Sequence, residues 1–464
     1  MLCPEDLTRR KFIGNACAAV GATGLLSALA QLRVIGAVAG DAARTSSATS
    51  DYKALVCVFL YGGNDSNNVV IPYDTTNYNI YAAARTALAL PQANLLPITP
   101  KTYSDGRQWA LHPSLVEVQN LFSTGQLAIL ANTGTLTYPT TLTQYNSGSA
   151  SLPPQLFSHA DQQVQWQSSL PDQPFQTGWG GRLADIINAI NTNTQISMSI
   201  SVAGQNSFQV GNTVSQYAVS PSGAVSITGS TGSTVNTTRY ATQQALLSQQ
   251  EANLFQAAFA NLTGSAINDS TLLTSILTNA TSLQTKFPNT SLGTQLQMIA
   301  KLISAAPTLG LKRQVFFASL GGWDLHTGEL PAHVTLLSQV SAALNAFNSA
   351  TIELGVQDQV TAFTASDFSR TFNTNGDGSD HGWGSHHLIL GGAVKGGDLY
   401  GTMPSLRLGG PDDTGRGRWV PSTSVDAYSA TLASWFGVSA SNLPVVLPNI
   451  GRFPSSNLGF MTGT

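Results

Sequence analysis

The sequence predicts an α/β protein built on a doubly wound, mostly parallel sheet with a helical and β-rich insertion. Short apolar runs rich in β-branched and aromatic residues, at 54–61, 127–132, 196–202, 314–320 and 359–365, read as buried strands. Between them lie stretches of helical period at 113–123, 180–190, 334–347 and 425–436. Strands alternating with helices place helices on both faces of one sheet. The middle of the chain departs from this rhythm. Residues 205–238 are dominated by Ser, Thr, Gly and Val, with alternation in Ala224-Val225-Ser226-Ile227, and read as a β-rich insertion or an exposed loop. Residues 242–303 then read as largely helical, with Leu246, Leu247, Leu254, Phe255 and Phe259 near helix spacing, which puts the insertion at about 203–305. No internal repeat of fixed period is present.

Residues 1–45 read as a targeting segment. Thr8-Arg9-Arg10-Lys11-Phe12-Ile13 is a paired-arginine start, the alanine-rich stretch after it is interrupted by Gly14, Gly21 and Gly24, and Ala37-Val38-Ala39 offers a small-x-small cleavage site. This is the pattern of a twin-arginine signal peptide. It predicts folded export by the twin-arginine translocase, a periplasmic or secreted location, and no stable membrane span after cleavage. An uncleaved anchor is the alternative, against which the apolar stretch is short for a spanning helix. Cys3 and Cys17 fall in this segment, so Cys57 alone remains and a disulfide scaffold is excluded. Gly14-Asn15-Ala16 makes a poor lipid-attachment context for Cys17. Residues 46–464 are long enough to bury a large core. With charged residues at 10% and a net charge of -3, no basic surface for nucleic acid is expected.

In an open α/β sheet, ligands collect beyond the carboxyl ends of the strands. The first run ends in Gly62-Gly63-Asn64-Asp65, where Asp65 is either presented at the sheet edge or bonded into its own turn. The fourth ends in Gly321-Gly322-Trp323-Asp324-Leu325-His326. In extended backbone Asp324 and His326 share one side and suit one metal, while a helix cap at Asp324 is the structural alternative. The fifth ends in Ser366-Asp367-Phe368-Ser369-Arg370, and Asp380-His381 follows. Aspartate and histidine together suit a divalent metal, zinc or manganese, better than copper. Of seven histidines, His159, His326, His381, His386 and His387 lie in or beside polar segments, although His386 and His387 open an apolar run where core roles fit equally. His112 before Pro113 marks a helix start. Ser158, before His159, is either a nucleophile at a helix N-terminus or an ordinary cap.

At these residues the chain resembles the exported family called domain of unknown function 1501. The motifs that carry the resemblance run in order along nearly the whole chain: the twin-arginine start, Gly62-Gly63-Asn64-Asp65, Leu111-His112-Pro113, Ser158-His159, Gly178-Trp179-Gly180-Gly181-Arg182, Gly322-Trp323-Asp324-Leu325-His326, Ser366-Asp367-Phe368-Ser369-Arg370-Thr371 and Asp380-His381-Gly382-Trp383-Gly384. That family is similar to a distant branch of the alkaline phosphatase and sulfatase superfamily. The resemblance implies an alkaline-phosphatase-like sheet, Ser158 as a metal-activated nucleophile, and Asp65, Asp324, His326, Asp367 and His381 as metal ligands, with Asp380 as a substitute. Phe368 stands where the superfamily places a histidine, which puts in doubt the site sharing Asp65 and Asp367. Arg370 is expected either to grip an anionic substrate or to form a strand-end ion pair. Two functions follow: a metal-dependent hydrolase of phosphate or sulfate esters, with a small anionic ester or a glycan as ligand, and a non-catalytic envelope or matrix protein that keeps the fold and binds a partner or glycan.

Overall fold

Strand β1 (Lys53–Leu60) is apolar on both faces, as a strand flanked on both edges and covered on both faces must be. In the computed structural model, which describes residues 51–192, 196–223, 232–249, 253–279 and 282–463, it lies near the middle of a nine-stranded sheet. The twin-arginine motif, its cleavage site and Ala224-Val225-Ser226-Ile227 lie outside the described residues.

The other strands are β2 (Leu127–Gly134), β3 (Ser199–Ser201), β4 (Tyr217–Ala218), β5 (Arg313–Leu320), β6 (Val360–Ser366), β7 (Ser385–Leu390), β8 (Leu399–Tyr400) and β9 (Thr423–Ser424). Their order is β8-β2-β7-β6-β1-β5-β3-β4, with β9 also paired to β2. Every pairing is parallel except those of β7, which runs antiparallel to β2 and β6. The sheet is therefore large, mixed and mostly parallel, and each of the five apolar runs read as strands contributes to it. The sequence reading did not place β7. Its opening histidines are core residues: His386 Nδ1 accepts the Asn132 N–H at 2.9 Å, and the His387 ring lies 4.8 Å from Trp166. Burial lowers their pKa values to about 4 and about 3, so both are neutral.

Alternate residues of β1 enter two cores. Ala54, Val56, Val58 and Leu60 pack with helices α1 (Thr75–Arg85), α2 (Val116–Ser123), α5 (Ser291–Ser304) and α6 (Glu329–Glu353). Leu55, Cys57 and Phe59 pack with α4 (Trp179–Ile187) and α7 (Val425–Phe436). Helix α3 (His159–Ser168) adds Trp166 to this second face. In the middle third, Tyr217–Ala218 pairs into the sheet. Helix Thr234–Leu247 begins within the stretch read as β-rich or loop, because Ser233 caps it at the Asn236 N–H. Among the described residues no helix is long and apolar enough to cross a membrane.

Register sets where the site forms. Leu60 is level with Leu320 on one side and Ser366 on the other, so the loops after β1, β5 and β6 leave the sheet at one height. The chain passes from β5 to β6 across β1, which makes this the switch point of the sheet.

Beneath these loops lies a buried ion network. Arg85, fully enclosed, donates to Asp65 Oδ2, to Glu329 Oε1 at 3.1 Å, and to the carbonyls of Thr371 and Phe372. Asp65 Oδ1 accepts from the backbone and side chain of Asn67 and caps a short 3-10 turn. The expectation that Asp65 binds metal is thereby corrected. Its carboxylate is saturated by Arg85 and its own turn. Burial works to raise its pKa, but the Arg85 charge together with the Glu329 and Asn67 hydrogen bonds and His333 holds it low; burial and the neighbouring Asp65 charge push Glu329 to about 8. Replacing Arg85 by Met strands these acidic groups in the interior. The expected loss of stability is about 3–5 kcal/mol, read by denaturant unfolding at pH 7; a loss under about 1 kcal/mol would contradict this account.

Candidate metal centre

The loop after β5 turns at Gly322, and Trp323 anchors it by donating its indole N–H to the Leu320 carbonyl at 3.0 Å. Gly62, at φ +119, lets the loop after β1 pass directly under the Asp324 backbone, where any side chain would collide. Asp324 therefore projects from the carboxyl end of β5, and its Oδ1 accepts from Arg370 Nη1 at 2.7 Å. Burial acts to raise the Asp324 pKa, but the Arg370 hydrogen bond and charge prevail and lower it.

Arg370 begins a hairpin that hangs from β6, Arg370–Thr374 paired with Ser379–His381, with His381 directly opposite Arg370. Gly378 and Gly382 allow this hairpin to lie against the His326 and Arg370 backbones. His159 arrives from elsewhere, as the first residue of α3.

These elements bring four ligand atoms together. His159 Nε2 lies 3.1 Å from His381 Nε2, and Asp324 Oδ1 lies 3.3 and 3.4 Å from them. These three residues form a group whose ligand atoms all lie within 4.8 Å of one another. His326 Nε2 stands beside that group, 3.0 Å from His381 Nε2 and 3.1 Å from Asp324 Oδ1.

The second nitrogen of each ring is already committed. His159 Nδ1 meets Asp367 Oδ2 at 2.7 Å, His381 Nδ1 meets the Phe157 carbonyl at 2.6 Å, and His326 Nδ1 meets Asp380 Oδ1 at 3.2 Å. Each partner accepts, so in the neutral rings Nδ1 carries the hydrogen and Nε2 presents a lone pair. Three lone pairs and a carboxylate oxygen then face one another with no donor among them, an arrangement that a cation relieves. The donor spacing also fits one. A triangle with these edges has its centre about 1.9 Å from each corner, close to the 2.0–2.1 Å at which zinc would take such donors.

The remaining expected residues serve the ligands or stand apart. Asp367 is buried and accepts from His159, from Gln163 Nε2 at 2.8 Å and from the Gly62 N–H at 3.2 Å; it orients His159 and is not itself a ligand. Asp380 does the same for His326. Arg370 is enclosed and committed to Asp324 and to the Gly62 and Ser379 carbonyls, which corrects its expected role as a grip for substrate. Ser158 Oγ donates to Asp161 Oδ2 at 2.6 Å within its own helical turn, so the nucleophile expected there is not aimed at the cluster by any contact. Phe368 is buried with its ring centroid 4.8 Å from both His159 and His381, an apolar wall behind the two ligands.

The hydrogen bond to Asp367 raises the His159 pKa, whereas burial lowers that of His381. Phe157 holds φ at +74, a conformation costly for a bulky residue, and its carbonyl fixes the His381 ring. The cluster opens to solvent at Asp324 and His326, whose side chains are 46% and 43% exposed. Strand-end logic does not reach His159 as a ligand, because a helix delivers it; the signals in the sequence are its polar setting and its place beside Ser158 in the family motif.

No curated protein is detectably similar in sequence. Among solved structures, the PsFucS1 sulfatase from Pseudoalteromonas sp. is 11% identical, with 85% of this chain and 69% of that chain covered and a TM-score of 0.35. Ps i-CgsB is 8% identical, with 86% and 76% covered and a TM-score of 0.35. The same protein in complex with k-i-k-neocarrahexaose gives 8% identity, 87% and 75% coverage and a TM-score of 0.33. At these values the reading of the site rests on its own residues. A family profile matches residues 52–413, and the chain belongs to that family, described as protein of unknown function (DUF1501).

Proposed function

We propose that this chain is a mononuclear metal-dependent hydrolase of anionic esters, phosphate or sulfate, on a sulfatase-like sheet. The observation that carries the reading is the convergence of lone pairs from His159 and His381 with Asp324 Oδ1, each held from behind, at a solvent-facing switch point. Two imidazoles and a carboxylate suit zinc first and manganese second. When bound, such an ion supplies Lewis acidity toward an ester oxygen and acidifies water.

The chain's own groups do the rest. Asp367 and the Phe157 carbonyl keep the ligand rings in one tautomer and one orientation. Arg370 keeps Asp324 ionised and in place. His326, its Nδ1–H held by Asp380, offers Nε2 as the acceptor for the proton released by attacking water. Phe368 keeps the rear of the cluster dry. In this reading water replaces Ser158 as nucleophile.

The second reading is a non-catalytic protein that binds a partner or glycan and keeps a structural ion. What favours it is His326, since a fourth donor would close the coordination shell. Metal analysis of the purified chain separates the two. His159→Ala, Asp324→Ala and His381→Ala are expected to lose zinc, Asp367→Asn to weaken it by about 10–100-fold, and Ser158→Ala to leave it unchanged. His326→Ala is expected to keep zinc while hydrolysis of 4-nitrophenyl phosphate or sulfate falls about a hundredfold. A chain that binds neither zinc nor manganese would sink the metal reading. Zinc lost in His326→Ala, with no ester cleaved by the unsubstituted protein, would move the assignment to the binding protein.

We also propose that residues 1–45 are a twin-arginine signal and that the mature protein is periplasmic or secreted. Arg9→Lys with Arg10→Lys is expected to hold the protein in the cytoplasm, and the exported form to begin near residue 40. Undiminished export of the double variant would refute this.

A further inference from the structure

We infer that Arg416 and Arg418 form an anion-recognition arm that takes the tetrahedral oxyanion head of the ester, an inference that rests on the metal-site reading above. Arg370 is enclosed, and Arg416 and Arg418 are arginines that border the site. The loop carrying Arg416 and Arg418 is built for presentation. Asp413 Oδ1 accepts the N–H groups of Gly415 and Gly417, both at 2.7 Å, and its Oδ2 accepts that of Gly409 at 2.8 Å. The loop is fastened to the site hairpin by Phe372 N–H to the Gly417 carbonyl at 3.1 Å and Asn373 N–H to the Arg416 carbonyl at 3.0 Å. Gly417 is pressed on Phe372 too closely for any side chain. Arg416 itself is held at φ +62, a conformation that non-glycine residues adopt mostly where the surroundings enforce it.

Each guanidinium is tied to the layer that orients the histidines and keeps donors in reserve. Arg418 Nε donates to the His381 carbonyl at 2.8 Å, and its Cζ lies 4.6 Å from the centre of the Phe157 ring. Its two terminal nitrogens bond to none of the described residues. Arg416 Nη1 donates to Asp380 Oδ2, the carboxylate that also holds His326, which leaves Nη2 and Nε. A guanidinium edge offers two parallel N–H groups at the spacing of two oxygens of a phosphate or sulfate group.

Charge points the same way. Arg370 pairs with Asp324 and Arg416 with Asp380, while Asp367 is engaged by His159 and Arg418 meets a carbonyl rather than a carboxylate. A divalent cation in the site would add two positive charges beside this rim, which would draw in an anion.

The test uses the full chain loaded with zinc and titrated calorimetrically with inorganic phosphate and with inorganic sulfate. Arg416→Gln and Arg418→Gln are expected to bind phosphate about tenfold more weakly at unchanged zinc content, with Arg418→Lys recovering only part of the loss because it restores charge without the planar fork. If Arg418→Gln disturbs His381 and sheds zinc, Arg416→Gln decides, since its partner Asp380 orients only His326. Phosphate affinities within about twofold of the unsubstituted chain in zinc-replete variants would overturn the inference. So would a zinc-loaded parent that binds neither anion. Failure of the parent to bind zinc is read separately, by metal content, and would overturn the metal site beneath it.

Discussion

The site depends on one constraint: each of its three imidazoles is gripped at Nδ1 by an oxygen that can only accept. Asp367, Asp380 and the Phe157 carbonyl are unrelated in sequence, yet each fixes one ring's tautomer and points its Nε2 inward. A histidine bonded through the other nitrogen, or to a group able to donate, would present a hydrogen instead, and the cluster would collapse into ordinary hydrogen bonds. The arrangement is pre-organised: rotating any ring away breaks a bond to a carboxylate or carbonyl behind it.

That constraint reaches back into the fold. Asp367 lies where it does because β6 ends level with β1, and Gly62, the second residue beyond β1, donates its N–H to that carboxylate. Asp324 lies where it does because the same glycine has no side chain to push it away. Arg370, opposite His381 across the hairpin, ties Asp324, on the loop after β5, to the hairpin that carries His381. The network of Arg85, Asp65 and Glu329 supports this from below, since Glu329 Oε2 accepts from Ser379 Oγ and the Ser379 carbonyl accepts from Arg370. Arg85 thus reaches Asp324 through position alone, by way of Glu329, Ser379 and Arg370.

Much of this was legible in the sequence, for a definable reason. Parallel strands buried on both faces produce long apolar runs, so β1, β2, β5 and β6 stand out, and the residues that follow them are the ones a parallel sheet gathers at one edge. Asp324, His326 and His381 were found by that rule. What was not legible depends on pairings the sequence does not encode locally. β7 opens with two histidines because its neighbours Asn132, Trp166 and Tyr428 receive them. Asp65 looks identical to a ligand until Arg85, twenty residues on, is seen to face it. His159 arrives on a helix, and Arg416 and Arg418 sit in a glycine-rich loop whose shape comes from the Asp413 carboxylate.

The correction at Asp65 and the departure at Phe368 already legible in the sequence share a cause. In the superfamily pattern that the sequence resembles, Asp65, Asp367 and a histidine at 368 would hold a second ion. Here a guanidinium occupies the Asp65 carboxylate, and a phenyl ring stands at 368 against the two ligand histidines. A second cation would meet the Arg85 charge on one side and an apolar wall on the other, and Asp367 is already engaged by three donors. The second site is therefore filled by structure. On the reading proposed above, one ion and an arginine rim would do what two ions share in that pattern: with no second cation to neutralise the non-bridging oxygens of an ester, that charge would fall to the guanidinium groups around the opening.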